Sequence, residues 1–178
     1  IQGITEFLPI SSSSHLILAS EYLDFKNQNL SIDVSLHIGS FIAVISYFYK
    51  DLINFFKNKF LFLKIFASSI PVITVGYILI NLGVMEKIRN LEVIAWTTFL
   101  FGILLFISDK FKIDKNIEKN FTLQKAIFIG ILQVLSLVPG VSRSGIAITA
   151  ARLLNFKRID SAKISFLISI PILAAISI

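Results

Sequence analysis

Two short polar stretches, each set inside apolar sequence, hold the residues of this chain best suited to chemistry. The first begins with Gln2 and Glu6, four residues apart, a spacing that places both on one face of a helix. Pro9, the serines Ser11, Ser12, Ser13 and Ser14, and His15 follow directly. Serines cap helices and form turns, which accounts for Ser11 and Ser14 on structural grounds. Four of them before a histidine also gather hydroxyls and helix-start N–H groups in one place. Such N-termini bind phosphate through their open N–H groups and the helix dipole. The second stretch is Pro139-Gly140-Val141-Ser142-Arg143-Ser144-Gly145. Its glycines permit a tight turn and close backbone approach. Arg143, at the start of the arm that follows, needs an anionic partner, and a guanidinium fork matches phosphate oxygens. In the empty state Glu6 is the alternative partner. Ser142 and Ser144 add hydroxyls, and Thr149 lies one turn beyond Gly145.

If the two turns meet, one pocket holds two helix N-termini, an arginine, a carboxylate, a histidine and several hydroxyls. That is an anion site suited to a phosphoryl group, and apolar walls beside it suit a lipid tail. Residues and spacing leave open whether such a site catalyses or transports.

The elements that position these residues must sit in a membrane. Of 178 residues, 55% are hydrophobic and only 16% are charged, against about 45–50% and about 25% in soluble domains. The surplus of Phe, Ile and Leu exceeds what one soluble core hides, so a bilayer is the expected solvent. In lipid, a carboxylate such as Glu6 is a functional residue by default. The chain has no cysteine, which excludes disulfides, thiolate metal sites and a cysteine nucleophile. Its formal charge of +6 comes from basic residues in short loops rather than one stripe, which argues against nucleic acid as a partner. No Walker-type loop, aspartate-rich motif or paired-histidine zinc motif is present. The chain begins at Ile1 without a Met and ends at Ile178 inside an apolar run, and reads as a fragment.

Spanning helices are expected over residues 34–48, 62–82, 93–107 and 164–178, with Pro71 inside the second. Residues 1–25 and 126–156 each read as two short apolar arms around a polar turn. An arm of about 13 residues is about 20 Å long as a helix, short of the roughly 30 Å hydrocarbon core. Re-entrant hairpins are therefore expected. Lysine-rich segments at 50–64, 110–125 and 157–163 mark the cytoplasmic side, and the acidic segment 21–33 and the balanced segment 86–92 the external side. The two hairpins then open in opposite directions, as in an inverted repeat, with 1–83 as the first repeat and 92–178 as an incomplete second one. The expected fold is thus an all-α polytopic membrane protein whose two re-entrant helical hairpins meet in the membrane core. His37 reads as a packing residue at the start of a spanning helix. Arg152 and Arg158 are expected to snorkel to the cytoplasmic headgroups, and Trp96 to sit at an interface or in packing.

At these residues the sequence resembles the undecaprenyl-diphosphatase family, also called bacitracin-resistance proteins. One family motif is a Gln or Glu, a Glu four residues on, Phe-Leu-Pro, and a serine-rich turn ending in His; it stands here from Gln2 to His15. The other, Pro-Gly-x-Ser-Arg-Ser-Gly, stands from Pro139 to Gly145. The resemblance runs the whole chain, and both motifs together are specific. Three departures are visible: Ser14 stands where the family usually has Gly, Ala147 where it commonly has Thr, and Gln2 removes one carboxylate.

The resemblance implies hydrolysis of undecaprenyl diphosphate to undecaprenyl phosphate and inorganic phosphate, which recycles the cell-wall lipid carrier. It implies a bacterial plasma (inner) membrane location, an external active site, competition with bacitracin for the substrate, and dependence on a divalent cation, Mg2+ or Ca2+. A homodimer is compatible with it. On this basis Arg143 is assigned to clamping the diphosphate. Ser12 is assigned as nucleophile with His15 as general acid or base, direct attack by water staying open. Glu6 either holds the cation or acts as base. Gln2, Ser11, Ser13, Ser142, Ser144, Gly145 and Thr149 are assigned to phosphate binding or its support. The competing reading is a transporter or flippase of polyprenyl phosphate or another anion, since inverted repeats with broken helices also serve transport.

Overall fold

The structure is a computed structural model and describes residues 2–6, 8–22, 30–47, 49, 52–53, 58–84, 88, 90–110 and 115–176. Its elements are helical: α1 (Gln2–Thr5), α2 (Ser12–Tyr22), α3 (Leu30–Tyr47), α4 (Lys59–Asn81), α5 (Leu91–Ser108), α6 (Ile117–Asn120), α7 (Leu123–Gln133) with a 3-10 turn (Val134–Leu137), α8 (Arg143–Leu153) and α9 (Arg158–Ile176).

Helices α4 and α5 are long and apolar enough to cross a bilayer. With 23 residues α4 is about 35 Å long, and with 18 residues α5 is about 27 Å. Both start on an asparagine cap: Asn58 Oδ1 accepts from Leu61 N–H and Asn90 Oδ1 from Val93 N–H. The chain runs helically through Pro71 in α4 and Pro171 in α9. Only 11% of the apolar window of α5 is buried. Its exposed Trp96, Phe99, Leu100, Ile103 and Phe106 would be untenable in water and are at ease in lipid.

The core gathers around α8, which packs on α5, α7 and α9. Ala147, Ala150 and Ala151 are fully buried, and their small side chains let neighbouring backbones approach, as membrane packing favours. The α4–α7 contact is closer still. A Cβ added at Gly130 would lie 2.1 Å from the Ser68 carbonyl oxygen, so only glycine fits there. At 11 residues each, α2, α7 and α8 measure about 16 Å, too short to cross the hydrocarbon, in line with the expected short arms.

One basic residue departs from expectation. Arg152 does not snorkel to headgroups; it is fully buried. Helix α8 ends in a Schellman motif, with Asn155 at φ 67° and the Phe156 and Asn155 N–H groups donating to the Ala151 and Arg152 carbonyls. That turn carries the chain back over Arg152, whose Nη1 donates to the Phe156 carbonyl and Nη2 to the Asp109 carbonyl, at 3.0 and 2.6 Å. Its Nε lies 3.1 Å from Asp109 Oδ1. Arg158 is largely exposed and pairs with the same carboxylate, and its hydrogen bond holds the Asp109 carboxyl below the usual range. The cluster ties the end of α5 to the α8–α9 turn.

Candidate active site

The two polar turns meet. Ser144 Oγ, from the second, donates to the Leu8 carbonyl of the first at 2.5 Å, and Ser142 Oγ reaches the same carbonyl at 3.5 Å. Where they touch, Glu6 is the hub. It is buried, standing one residue past the end of α1. Its Oε1 accepts from Arg143 Nη2 at 2.8 Å, and its Oε2 accepts from Ser12 Oγ at 2.8 Å. His37 Nδ1 of α3 stands 3.9 Å from Oε1. Arg143 Nη1 is buried and has no hydrogen-bond partner among the described residues. A guanidinium with one arm on a carboxylate and the other unengaged is ready for a second anion.

The remaining expected residues divide between the centre and its supports. Ser11 Oγ caps α2, accepting from the Ser14 N–H at 3.4 Å and the Ser14 hydroxyl at 2.8 Å. Ser142 caps α8 by accepting from Gly145 N–H at 3.1 Å. Thr149 Oγ1 donates back to the Gly145 carbonyl at 2.8 Å and is buried, so it braces the first turn of α8. A Cβ at Gly145 would lie 3.4 Å from the Pro9 carbonyl oxygen, which places the close approach of the two turns at this residue. The Ser12 proton is directed to Glu6 rather than to His15. His15 Nδ1 lies 2.7 Å from the Ser11 carbonyl oxygen. A carbonyl accepts only, so Nδ1 carries the proton and in the neutral ring the lone pair is on Nε2. Gln2 and Ser13 lie on α1 and α2, but their side chains fall outside the described residues.

Several contributors were not read from the sequence. A cavity of about 10 Å³, the room of about one water, is lined by Glu6, Arg143 and Ser144 with Ser165, Phe166 and Ser169 of α9. Ser161, Ser165 and Ser169 are spaced four apart along α9, a helical stripe that was legible in principle. Thr97 of α5 is another: its Oγ1 lies 2.6 Å from the Pro139 carbonyl oxygen, and Thr98 Oγ1 donates to the Gly140 carbonyl at 3.3 Å. The long helix thereby holds the second turn at its tip. Gly140 has φ 94°, and a Cβ there would lie 1.9 Å from Thr97 Oγ1. Gly140→Ala is therefore expected to lower the melting temperature in detergent and to displace Arg143, with the activity of the site falling by about tenfold or more. Unchanged melting and turnover would show that the turn tolerates a side chain.

The apolar helices mark a membrane protein, and this carboxylate–guanidinium–hydroxyl centre is its candidate site. The chain belongs to the family described as Bacitracin resistance protein BacA, whose model matches residues 1–178. Among curated proteins it is similar to the undecaprenyl-diphosphatase of Pelagibacter ubique, 47% identical over all of this chain and 70% of that relative. It is 44% identical to the undecaprenyl-diphosphatase of Saccharophagus degradans, over 97% of this chain and 69% of that one. It is 41% identical to that of Roseobacter denitrificans, over 98% and 70%.

Proposed function

We propose that the protein hydrolyses undecaprenyl diphosphate to undecaprenyl phosphate and inorganic phosphate, recycling the lipid carrier of cell-wall synthesis and thereby conferring bacitracin resistance. The observation that carries this reading is the chain Arg143–Glu6–Ser12, in which one carboxylate joins a cation from the second turn to a hydroxyl from the first. The names of the relatives favour hydrolysis over transport.

In this reading Arg143 Nη1 takes an oxygen of the diphosphate and stabilises charge developing at phosphorus. Ser12 Oγ bonds to the terminal phosphorus while its proton passes to Glu6 Oε2. The bond from that phosphorus to the bridging oxygen breaks, and its electron pair leaves on undecaprenyl phosphate. Water then attacks the phosphoserine, giving its proton to His15 Nε2, and Ser12 recovers the proton held by Glu6. Ser142, Ser144 and the N-terminus of α8 bind phosphate oxygens. The short arms around residues 1–25 and 126–156 act as re-entrant hairpins of two inverted repeats, opening the site to the external face of the plasma membrane. Bacitracin competes for the diphosphate, and the chain is compatible with a homodimer.

Among the described residues no group of three or more His, Cys, Asp or Glu could hold a metal. Mg2+ is commonly held by one or two carboxylates together with substrate phosphates. In the alternative in which Glu6 holds a divalent cation arriving on the diphosphate instead of taking the Ser12 proton, that cation would neutralise phosphate charge. The test is phosphate release from undecaprenyl diphosphate by the purified full-length protein in detergent. Release that EDTA abolishes and excess Mg2+ or Ca2+ restores is expected. No release from well-folded protein across several divalent metals would overturn the reading in favour of lipid translocation.

A further inference from the structure

Side chains from three of the described elements come close to Glu6, and one of them has no part in the mechanism above. Ser12 comes from the first hairpin and Arg143 from the second. His37 comes from α3, which packs on both α1 and α9. Its Nδ1 is 3.9 Å from Glu6 Oε1, the oxygen that Arg143 Nη2 holds at 2.8 Å. The Glu6 side chain is 4% exposed and that of His37 22%, so water does little to orient the carboxylate. A separation of 3.9 Å is too long for a hydrogen bond, but bonds of this kind are often long in an empty site and tighten in the substrate complex.

The arrangement has a weakness that His37 is placed to correct. Arg143 is a counter-charge of Glu6 at 2.8 Å and also the group that must receive the diphosphate. Once phosphate oxygens engage the guanidinium, its attraction is divided between two anions, and the phosphate also repels the carboxylate. A donor from α3 on Oε1 adds to the hold on the carboxylate at that moment and keeps Oε2 turned to Ser12. We propose that His37 is a positioning residue, closing on Glu6 Oε1 in the substrate complex so that Oε2 stays on Ser12. This role rests on the phosphatase reading. It acts through Glu6 and involves no contact with the substrate.

The test is kcat and KM for phosphate release from undecaprenyl diphosphate by full-length wild type, His37→Ala, His37→Asn, Glu6→Gln and the double variant Glu6→Gln/His37→Ala, all monodisperse in detergent. His37→Ala is expected to lose kcat by about 10–100-fold, the factor for one hydrogen bond to a charged group, with KM changed by less than about twofold. His37→Asn, which keeps a donor, recovers most of that loss. In the Glu6→Gln background, His37→Ala adds less than about twofold, because its effect runs through the carboxylate. A kcat for His37→Ala within about twofold of wild type, or a loss that multiplies with that of Glu6→Gln, overturns the role. If His37→Ala is not monodisperse, His37→Phe, which keeps a ring without a donor, takes its place with the same two outcomes. Absence of release by the wild type overturns the phosphatase reading and this role with it; release that survives loss of the imidazole overturns this role alone.

Discussion

Arg143→Ala removes phosphate release almost entirely, by about 10³-fold or more. An arginine that stabilises charge on a transferring phosphoryl group contributes about 10³–10⁵ in rate, and here the same side chain also compensates Glu6 at 2.8 Å. Its loss is therefore expected to remove the clamp on the substrate and to take the guanidinium away from a buried carboxylate. Arg143→Lys keeps the charge but not the fork. A lysine holds Glu6 or the phosphate as a point charge and cannot bridge the two with fixed geometry. Activity between that of wild type and Ala is expected, at about 10²-fold below wild type. Phosphate release with saturating Mg2+ measures both. An alanine variant that keeps a tenth of wild-type turnover would remove Arg143 from the site.

Ser12→Ala carries the second large effect, a loss of about 10³-fold or more if the hydroxyl is the nucleophile. The hydrogen bond from Ser12 Oγ to Glu6 Oε2 at 2.8 Å is the geometry of a hydroxyl beside its base. Substrate labelled in its terminal phosphate and quenched in acid should leave the label on Ser12 in wild type and none in the variant. A Ser12→Ala protein that turns over near normally would mean that water attacks directly and that the serine only binds.

The sequence revealed the long helices and the two turns because each is encoded locally. Apolar runs expected over 34–48, 62–82 and 93–107 are the helices Leu30–Tyr47, Lys59–Asn81 and Leu91–Ser108; cap residues such as Asn58 and Asn90 extend them by a turn or less beyond the apolar stretch. Glu6 and Arg143 were legible because a charge inside apolar sequence is conspicuous wherever it falls. Contacts between helices were not. Nothing in the spacing from Glu6 to His37 states that α3 lies against α1. Thr97 looks like any threonine in an apolar helix until the Pro139 carbonyl is seen above it. Arg152 was misread for a related reason: a basic residue at a helix end fits a headgroup or a partner within the protein equally well by sequence, and only the turn through Asn155 decides. The pairing of Ser12 with Glu6 rather than His15 likewise follows from the fold of the turn at Pro9.

Glu6 and Arg143 are separated by 137 residues, and that distance has a consequence for how the protein is made. At about 5–20 residues per second, roughly 7–30 s of translation pass between the two. Through that interval the carboxylate has been synthesised and its guanidinium has not, and an unpaired ionised carboxylate is strongly disfavoured inside hydrocarbon. On the proposed re-entrant arrangement, the first polar turn is thus favoured to wait at the headgroup level until the second arrives to neutralise it. Assembly of the centre would then be a late event in biogenesis, and a nascent chain stalled before Arg143 would hold half of the polar machinery in a state the bilayer disfavours.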